Sequence, residues 1–384
     1  MGLLPFSSLG PWSVPARHWP ETLFNRNLIL KKSPFKLLQR SSFLGQKYHF
    51  SFQRPRGTLN ATFEPGALLT EQFTIIGAGM AGLLAAAVLR EECAAILEAQ
   101  SELPNNHAAL LRFRSPVVGD ALNIPFRAVQ VIKSVDSIGN PIADAVSYSL
   151  KTNGRALLRS LVTATNTPET RYIAPMDFTE RLRRKVTAPI TFGQKWDGQT
   201  NGPTISTLPM PTLMGMLGYE HNVKFEAVTG FVISARLRDC DLYATIYLPS
   251  SDELAYRASI TGDRLIIEYA FPRLSAEEAA AKMQPLRESP MSTVSRMLPL
   301  FGMPFDQIAE PPTLKLQRYA KILPVPDDVR KRFMLWATEH HSIYSLGRFA
   351  TWRPGLLMDD LIHDLHIIQK MVRSGTRYDA QKGR

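Results

Sequence analysis

Glycines at positions 77, 79 and 82, in the run Gly77-Ala-Gly-Met-Ala-Gly82, fall between a short apolar stretch, Phe73-Thr-Ile-Ile76, and an Ala/Leu-rich stretch from Ala81 to Arg90. Each glycine has its own physical reason. Gly77 permits a tight exit from a buried strand, Gly79 lets backbone N–H groups approach a pyrophosphate, and Gly82 lets helix and strand pack closely. A second apolar run, Ala94-Ala-Ile-Leu97, ends on Glu98, 21 residues after Gly77. A carboxylate there can accept hydrogen bonds from ribose hydroxyls. Strand, glycine turn, helix, strand and acid thus fall in the order of a dinucleotide-binding βαβ unit. The competing reading is a glycine-rich turn in an unrelated α/β protein.

Two further constellations carry chemistry. Phe225 to Arg236 and Leu242 to Leu248 alternate as strands, and Tyr256 to Glu268 reads as strand, Gly262-Asp263 turn, strand. On this hairpin-rich section Tyr243, Tyr247, Tyr256 and Arg257 could stack a base and hold an anionic substituent; cross-strand tyrosine packing is the bland alternative. Near the C-terminus a Gly-Arg turn, Ser345-Leu-Gly347-Arg348-Phe-Ala-Thr351-Trp352-Arg353-Pro-Gly355, precedes a helix beginning at Met358-Asp359-Asp360. That helix could aim its free N–H groups at a cofactor. His363 and His366, with Asp359, Asp360 and Asp364 nearby, read as a solvated helix face, and no metal site is expected. His340 and His341 read as structural imidazoles. No acid–base dyad, GxSxG elbow, Walker lysine loop or HExxH motif is legible.

The elements that position these residues need a body with a sizeable core, which a chain of 384 residues can bury, and the 45% hydrophobic and 21% charged composition is that of a globular protein. With two cysteines, Cys93 and Cys240, there is no disulfide framework, and the composition suits a reducing cytoplasm. No apolar run is long enough to span a membrane. The net charge of +11 is uneven: residues 1–61 hold nine Lys/Arg against Glu21, a net of +8, leaving +3 for the rest. That leading stretch lacks periodicity and has no Met between Met1 and Met80. It reads as a presequence, a basic arm touching nucleic acid, or upstream sequence ahead of a start near Leu68 or Leu69, the last being preferred. The expected organisation is a basic extension over 1–68, disordered or outside the native protein, a dinucleotide-binding domain from 69–240 and 311–384, and a substrate-facing section over 241–310. Proline-punctuated joints at 189–211 and 304–326 support the division.

The small apolar helix after the glycines, GAGMAGLLAAAVL, together with the C-terminal Gly-Arg turn, resembles the FAD-binding amine oxidase and UDP-galactopyranose mutase superfamily. The likeness covers residues 71–384 and departs after Glu98, where the family's glycine pair is replaced by Leu103-Pro-Asn-Asn-His107. The resemblance implies an α/β fold, a Rossmann-like FAD-binding domain with an inserted antiparallel-sheet substrate domain. It implies FAD as cofactor, held by Gly77, Ala78, Gly79, Met80, Ala81, Gly82, Glu98, Arg112, Gly347, Arg348, Trp352 and Asp359. Tyr247, Tyr256, Arg257 and Trp352 are the catalytic candidates. The texture of RFRSP (112–116), YRASITGDRLIIE (256–268) and GRFATWRPG (347–355) is similar to the FAD-dependent proteins of phage thymidine hypermodification. That resemblance implies an oxidase or lyase acting on a DNA base that bears an amino acid such as glycine, in the host cytoplasm, leaving 5-aminomethyl-deoxyuridine. The partner implied is a DNA base or nucleotide-linked amine. A mutase-like flavoprotein acting on a nucleotide sugar, another FAD-dependent amine oxidoreductase, and an inert dinucleotide-binding module are the alternatives.

Overall fold

The computed structural model describes residues 72–103, 112–157 and 165–374. The basic extension and its expected start lie outside these residues. The chain begins with β1 (Phe73–Ile76), α1 (Met80–Leu89) and β2 (Cys93–Glu98). It then supplies β3 (Arg112–Phe113), α2 (Val117–Leu122), β4 (Arg127–Val135), α3 (Pro141–Asn153) and β5 (Thr165–Ile173). After α4 (Phe178–Lys185) come β6 (Ile190–Phe192), β7 (Thr204–Ser206) and α5 (Met210–Met216). An antiparallel run follows, β8 (Ala227–Arg236), β9 (Leu242–Tyr247), β10 (Ala255–Gly262) and β11 (Arg264–Phe271), and then α6 (Ala276–Lys282), α7 (Gln284–Glu288) and α8 (Pro290–Met297). The last elements are β12 (Thr313–Ile322), α9 (Asp327–His341), β13 (Ile343–Ser345) and α10 (Met358–Arg373).

Two sheets result. One is parallel, in the order β13-β7-β1-β2-β6, and the other has the order β12-β8-β11-β10-β9-β4-β5-β3. In the second sheet every neighbouring pair is antiparallel except β4 and β9. This is the Rossmann-like α/β fold with an added sheet that the sequence implies. The added sheet is wider than the expected 241–310 section. It takes β3, β4 and β5 from before residue 174 and β8 and β12 from either side, because a hairpin pair alone leaves two open edges that further strands must cover.

Sequence explains the layers. Helix α1 is apolar throughout, mostly Ala and Leu, and buried on nearly every face, as expected of a helix enclosed on all sides. It packs in one core with Phe73, Ile96, Phe178 and Leu182, and with Leu361, Ile362, Leu365 and Ile368, the apolar stripe of α10. The second sheet has one apolar face and one mixed face, with register slips in β10 and β12. Phe231, Ile233, Ala258, Ile260, Leu265 and Ile267 form one face, buried against α6 to α8 with Ala279, Val294 and Met297. The other face carries polar residues and meets α3 through Tyr148, which packs with Tyr256 and Val228. Among the described residues no helix is long and apolar enough to cross a membrane.

Candidate functional site

The first part of the site is the glycine turn at the C-terminal end of the parallel sheet. Gly77 has φ +95°, a conformation open to glycine, and its N–H donates to Leu97 O at 2.8 Å. A Cβ on Gly82 would lie 1.9 Å from Gly77 O, so the helix can approach the turn only because that Cβ is missing. Gly79 is different. A Cβ there would meet nothing within 4 Å, so its surroundings are open. No side chain caps α1 and its first turn holds no acid, which leaves the N–H groups of its first residues free for an anion. Glu98, buried at the end of β2, accepts the Ala78 N–H at 2.7 Å with one oxygen and the Gln100 N–H at 2.9 Å with the other. It therefore clamps the turn to the second strand, and each oxygen keeps a lone pair for a hydroxyl. Thr207, which sequence reading missed, donates its hydroxyl to Ile76 O at 2.8 Å and flanks Gly77.

The C-terminal anchor lies beside this turn. Gly347, φ +105°, stands close enough to α1 that an added Cβ would be 3.2 Å from Ala81 Cβ. Its carbonyl accepts both the N–H and the hydroxyl of Thr351, at 2.9 and 2.8 Å. Arg348 donates from Nε and Nη2 to Leu356 O, both at 3.1 Å, with no carboxylate partner among the described residues. Ser345 Oγ is buried without a hydrogen bond. The other two expected residues here hold the structure together. Trp352 donates its indole N–H to Leu323 O at 2.8 Å, packs edge-on against Phe225 and is buried. Asp359 accepts the Ser115 N–H at 3.0 Å and its hydroxyl at 3.1 Å, fixing the β3–α2 loop to the start of α10. Both residues line a cleft of about 670 Å³ together with Arg114, Pro324, Arg353 and His363.

The third part is the polar face of the second sheet. A register slip between Ala255 and Arg257 leaves Tyr256 as an extra residue, so consecutive side chains reach one carboxylate. Tyr256 OH donates to Glu268 Oε1 at 3.0 Å, while Arg257 donates to the same oxygen at 2.7 Å and through Nε to Oε2. Burial works against both charges, but their mutual attraction prevails: Glu268 is held below the usual carboxylate range and Arg257 above the usual arginine range. Tyr247 and Tyr256 both meet Tyr148 edge to face, with ring centroids 5.5 and 5.9 Å away. Arg112 belongs to this face. Its Nη2 donates to Thr245 Oγ1 at 3.1 Å, its Nη1 is buried without a partner, and burial followed by the charge of Arg257 lowers its pKa.

The structure thus brings together Gly77 to Gly82, Glu98, Gly347 and Arg348 in one group, and Tyr247, Tyr256, Arg257 and Arg112 in another. Trp352 and Asp359 stand apart in the cleft. His340 and His341 pack on Trp336. Tyr148, Glu268 and Lys321 were missed. Glu268 had a signal: a two-residue turn at Gly262-Asp263 sets the partners of β10 and β11, and that register puts Glu268 opposite Arg257. The open space at Gly79, the uncapped start of α1 and the orphaned Ser345 Oγ fit a group with a diphosphate and a ribose.

No protein-family model matches the chain, and no curated protein matches it in sequence. Among solved structures it is similar to reduced UDP-galactopyranose mutase, with a TM-score of 0.53 and 14% identity over 80% of this chain and 96% of that one. An oxidoreductase from Methanosarcina mazei gives a TM-score of 0.48 at 10% identity, over 78% of this chain and 100% of that one. A p-nitrophenol 4-monooxygenase from Pseudomonas putida gives 0.45 at 13%, over 80% of this chain and 81% of that one. At such identities the likeness is one of fold.

Proposed function

We propose that the chain is a flavin-dependent oxidoreductase that holds FAD at the glycine turn and works on an amine set against the polar face of the second sheet. The observation that carries this reading is the turn, where an uncapped helix start, open space above Gly79 and a clamped Glu98 converge. The N–H groups at the start of α1 would hold the diphosphate, Glu98 the ribose, and Ser345, Gly347 and Arg348 the far side. Bound there, FAD supplies an acceptor for a hydride leaving a carbon that bears nitrogen.

The chain's own part is to bind, orient and dry the substrate. Tyr247, half-buried, is the accessible end of a tyrosine wall completed by the buried Tyr148 and Tyr256, and a planar base can pack against it. Glu268 fixes Arg257 through Nε and Nη2, leaving Nη1 to donate to a substrate oxygen. The finer reading is that the substrate is a thymine in phage DNA whose 5-methyl carbon carries glycine through nitrogen. Loss of two hydrogens across the N–Cα bond gives an imine; water then adds, releasing glyoxylate and leaving a primary amine on 5-aminomethyl-deoxyuridine. A net charge of only +3 outside the basic extension suits an enzyme that takes one exposed base more than one that grips long duplex.

Anaerobic mixing of the flavin-loaded protein with glycylated DNA tests this. Bleaching of the yellow colour with one glyoxylate released per flavin is expected. Unchanged colour with that DNA would reject the substrate, and activity on a nucleotide sugar only after dithionite reduction would replace the oxidase reading with the mutase-like one.

A further inference from the structure

On the polar face of the second sheet one more charge, that of Lys321, lies beside the tyrosines. Strand β12 follows β8 in register up to Gln317, opposite Gly230, then slips so that Lys321 lies opposite Val228. The slip is possible because residue 230 is glycine: a Cβ there would sit 2.6 Å from Ala320 Cβ and 2.4 Å from Tyr269 O. It delivers the Lys321 ammonium over the ring of Tyr256, 4.3 Å from its centroid, and 5.4 Å from that of Tyr148. Tyrosine faces attract a cation weakly and do not replace a counterion.

Arg257 acts electrostatically on Lys321, Arg112 and Arg348, and Arg171 acts on Arg112 as well. One carboxylate, Glu268, acts on this group among the described residues, and Arg257 and Tyr256 already engage both its oxygens. Arg112 keeps a buried Nη1 with no partner. Like charges gathered in a partly buried place around one shared counterion are unfavourable, and an incoming anion relieves them.

We propose that Lys321, with Arg257 and the free Nη1 of Arg112, forms a subsite for an oxyanion carried by the substrate, beside the tyrosine wall that takes its planar part. The proposal rests on the oxidoreductase reading and narrows its substrate to molecules bearing a carboxylate or a phosphate. It also has a proton signature. Burial, and then the charge of Arg257, bring the pKa of Lys321 down to about 7, so close to neutral pH a good part of the side chain is uncharged. An oxyanion on Nζ favours the ammonium, so binding takes up a proton.

Titration calorimetry on the flavin-loaded full chain at pH 7, in two buffers of different ionisation enthalpy, tests this with N-benzylglycine against benzylamine and with thymidine monophosphate against thymidine. The expected result is that at least one oxyanion binds roughly tenfold or more tightly than its uncharged or cationic partner, with uptake of a fraction of a proton. Preference within the first pair makes the oxyanion a carboxylate, and within the second a phosphate. Lys321→Met should remove both the preference and the uptake. Lys321→Arg, charged at every accessible pH, should keep the preference and remove the uptake. Equal affinity within both pairs, unaltered binding by Lys321→Met, or oxyanion binding seen only when flavin is absent would overturn the subsite. Flavin content, read from the absorbance of the same samples, reports on the cofactor reading separately.

Discussion

At the glycine turn the groups proposed to face a ligand are uncharged backbone N–H groups at the start of α1 and a single carboxylate, Glu98, whose geometry is fixed by backbone donors. On the polar face of the second sheet the corresponding groups are ionised or phenolic side chains from six elements, β3, β9, β10, β11, β12 and α3, and several of them fix one another. The turn is therefore rigid because glycine allows close packing, and steric change should harm it most. The sheet face is held by charge pairing, and removal of one partner should harm it most. The difference also separates two tasks. Backbone dipoles suit a constant ligand bound the same way each time, whereas side-chain charges suit a group that must be told apart from similar ones.

The largest effect should come from Gly82→Ala. The new Cβ would meet Gly77 O at 1.9 Å, and backbone cannot yield cheaply, so a loss of about 3 kcal/mol in denaturant unfolding is expected. A stability change within a few tenths of a kcal/mol would mean that the helix is free to move off the turn.

Glu268→Gln comes next. It leaves Arg257 partly buried and unpaired, and because about a third of the arginine side chain is exposed the cost should be about 2 kcal/mol, below the range for fully buried pairs. The difference should depend on pH. Folding lowers the Glu268 pKa, so its contribution is complete above the unfolded carboxylate value and is lost as pH falls through the folded one. Wild type and variant should converge in acid unfolding curves; a gap that widens in acid would show that the pair is not what stabilises the wild type.

A smaller effect is expected for Asn140→Ala. Its side chain accepts the N–H groups of Ile142 and Ala143 at 3.0 and 2.9 Å and starts α3, the helix that carries Tyr148. Thermal unfolding should register a loss of about 1 kcal/mol. The glycine turn lies on the other sheet, so the same variant should leave flavin affinity unchanged, which would confirm that the two regions are independent.

These two regions also differ in how much of each could be read from sequence. Glycine spacing, apolar runs and the acid at 98 lie within one βαβ unit, so local pattern predicts both the turn and the fold class. The Gly262-Asp263 turn announced a hairpin, and its register contained the Arg257–Glu268 pair for anyone who counted it. Lys321 was hidden, because its place depends on a register slip allowed by Gly230, which sits far away in sequence. Tyr148 was hidden because it arrives on a helix laid across the sheet. Arg112 was assigned to the cofactor from its position after Glu98, yet β3 pairs at the edge of the second sheet and turns the guanidinium toward Thr245. Trp352 looked like a site aromatic, but its indole N–H is taken by Leu323 O in the core.

The central claim is that the turn holds the diphosphate of FAD, and Gly79→Val tests it most directly, since a Cβ there enters open space and meets no protein atom within 4 Å. The wild-type protein should purify yellow, with a flavin spectrum and near-stoichiometric FAD. The variant should unfold at nearly the same temperature and be colourless, with FAD affinity reduced about a hundredfold or more. A variant that retains a full complement of FAD, or a wild type that stays colourless when micromolar FAD is added, would contradict the account.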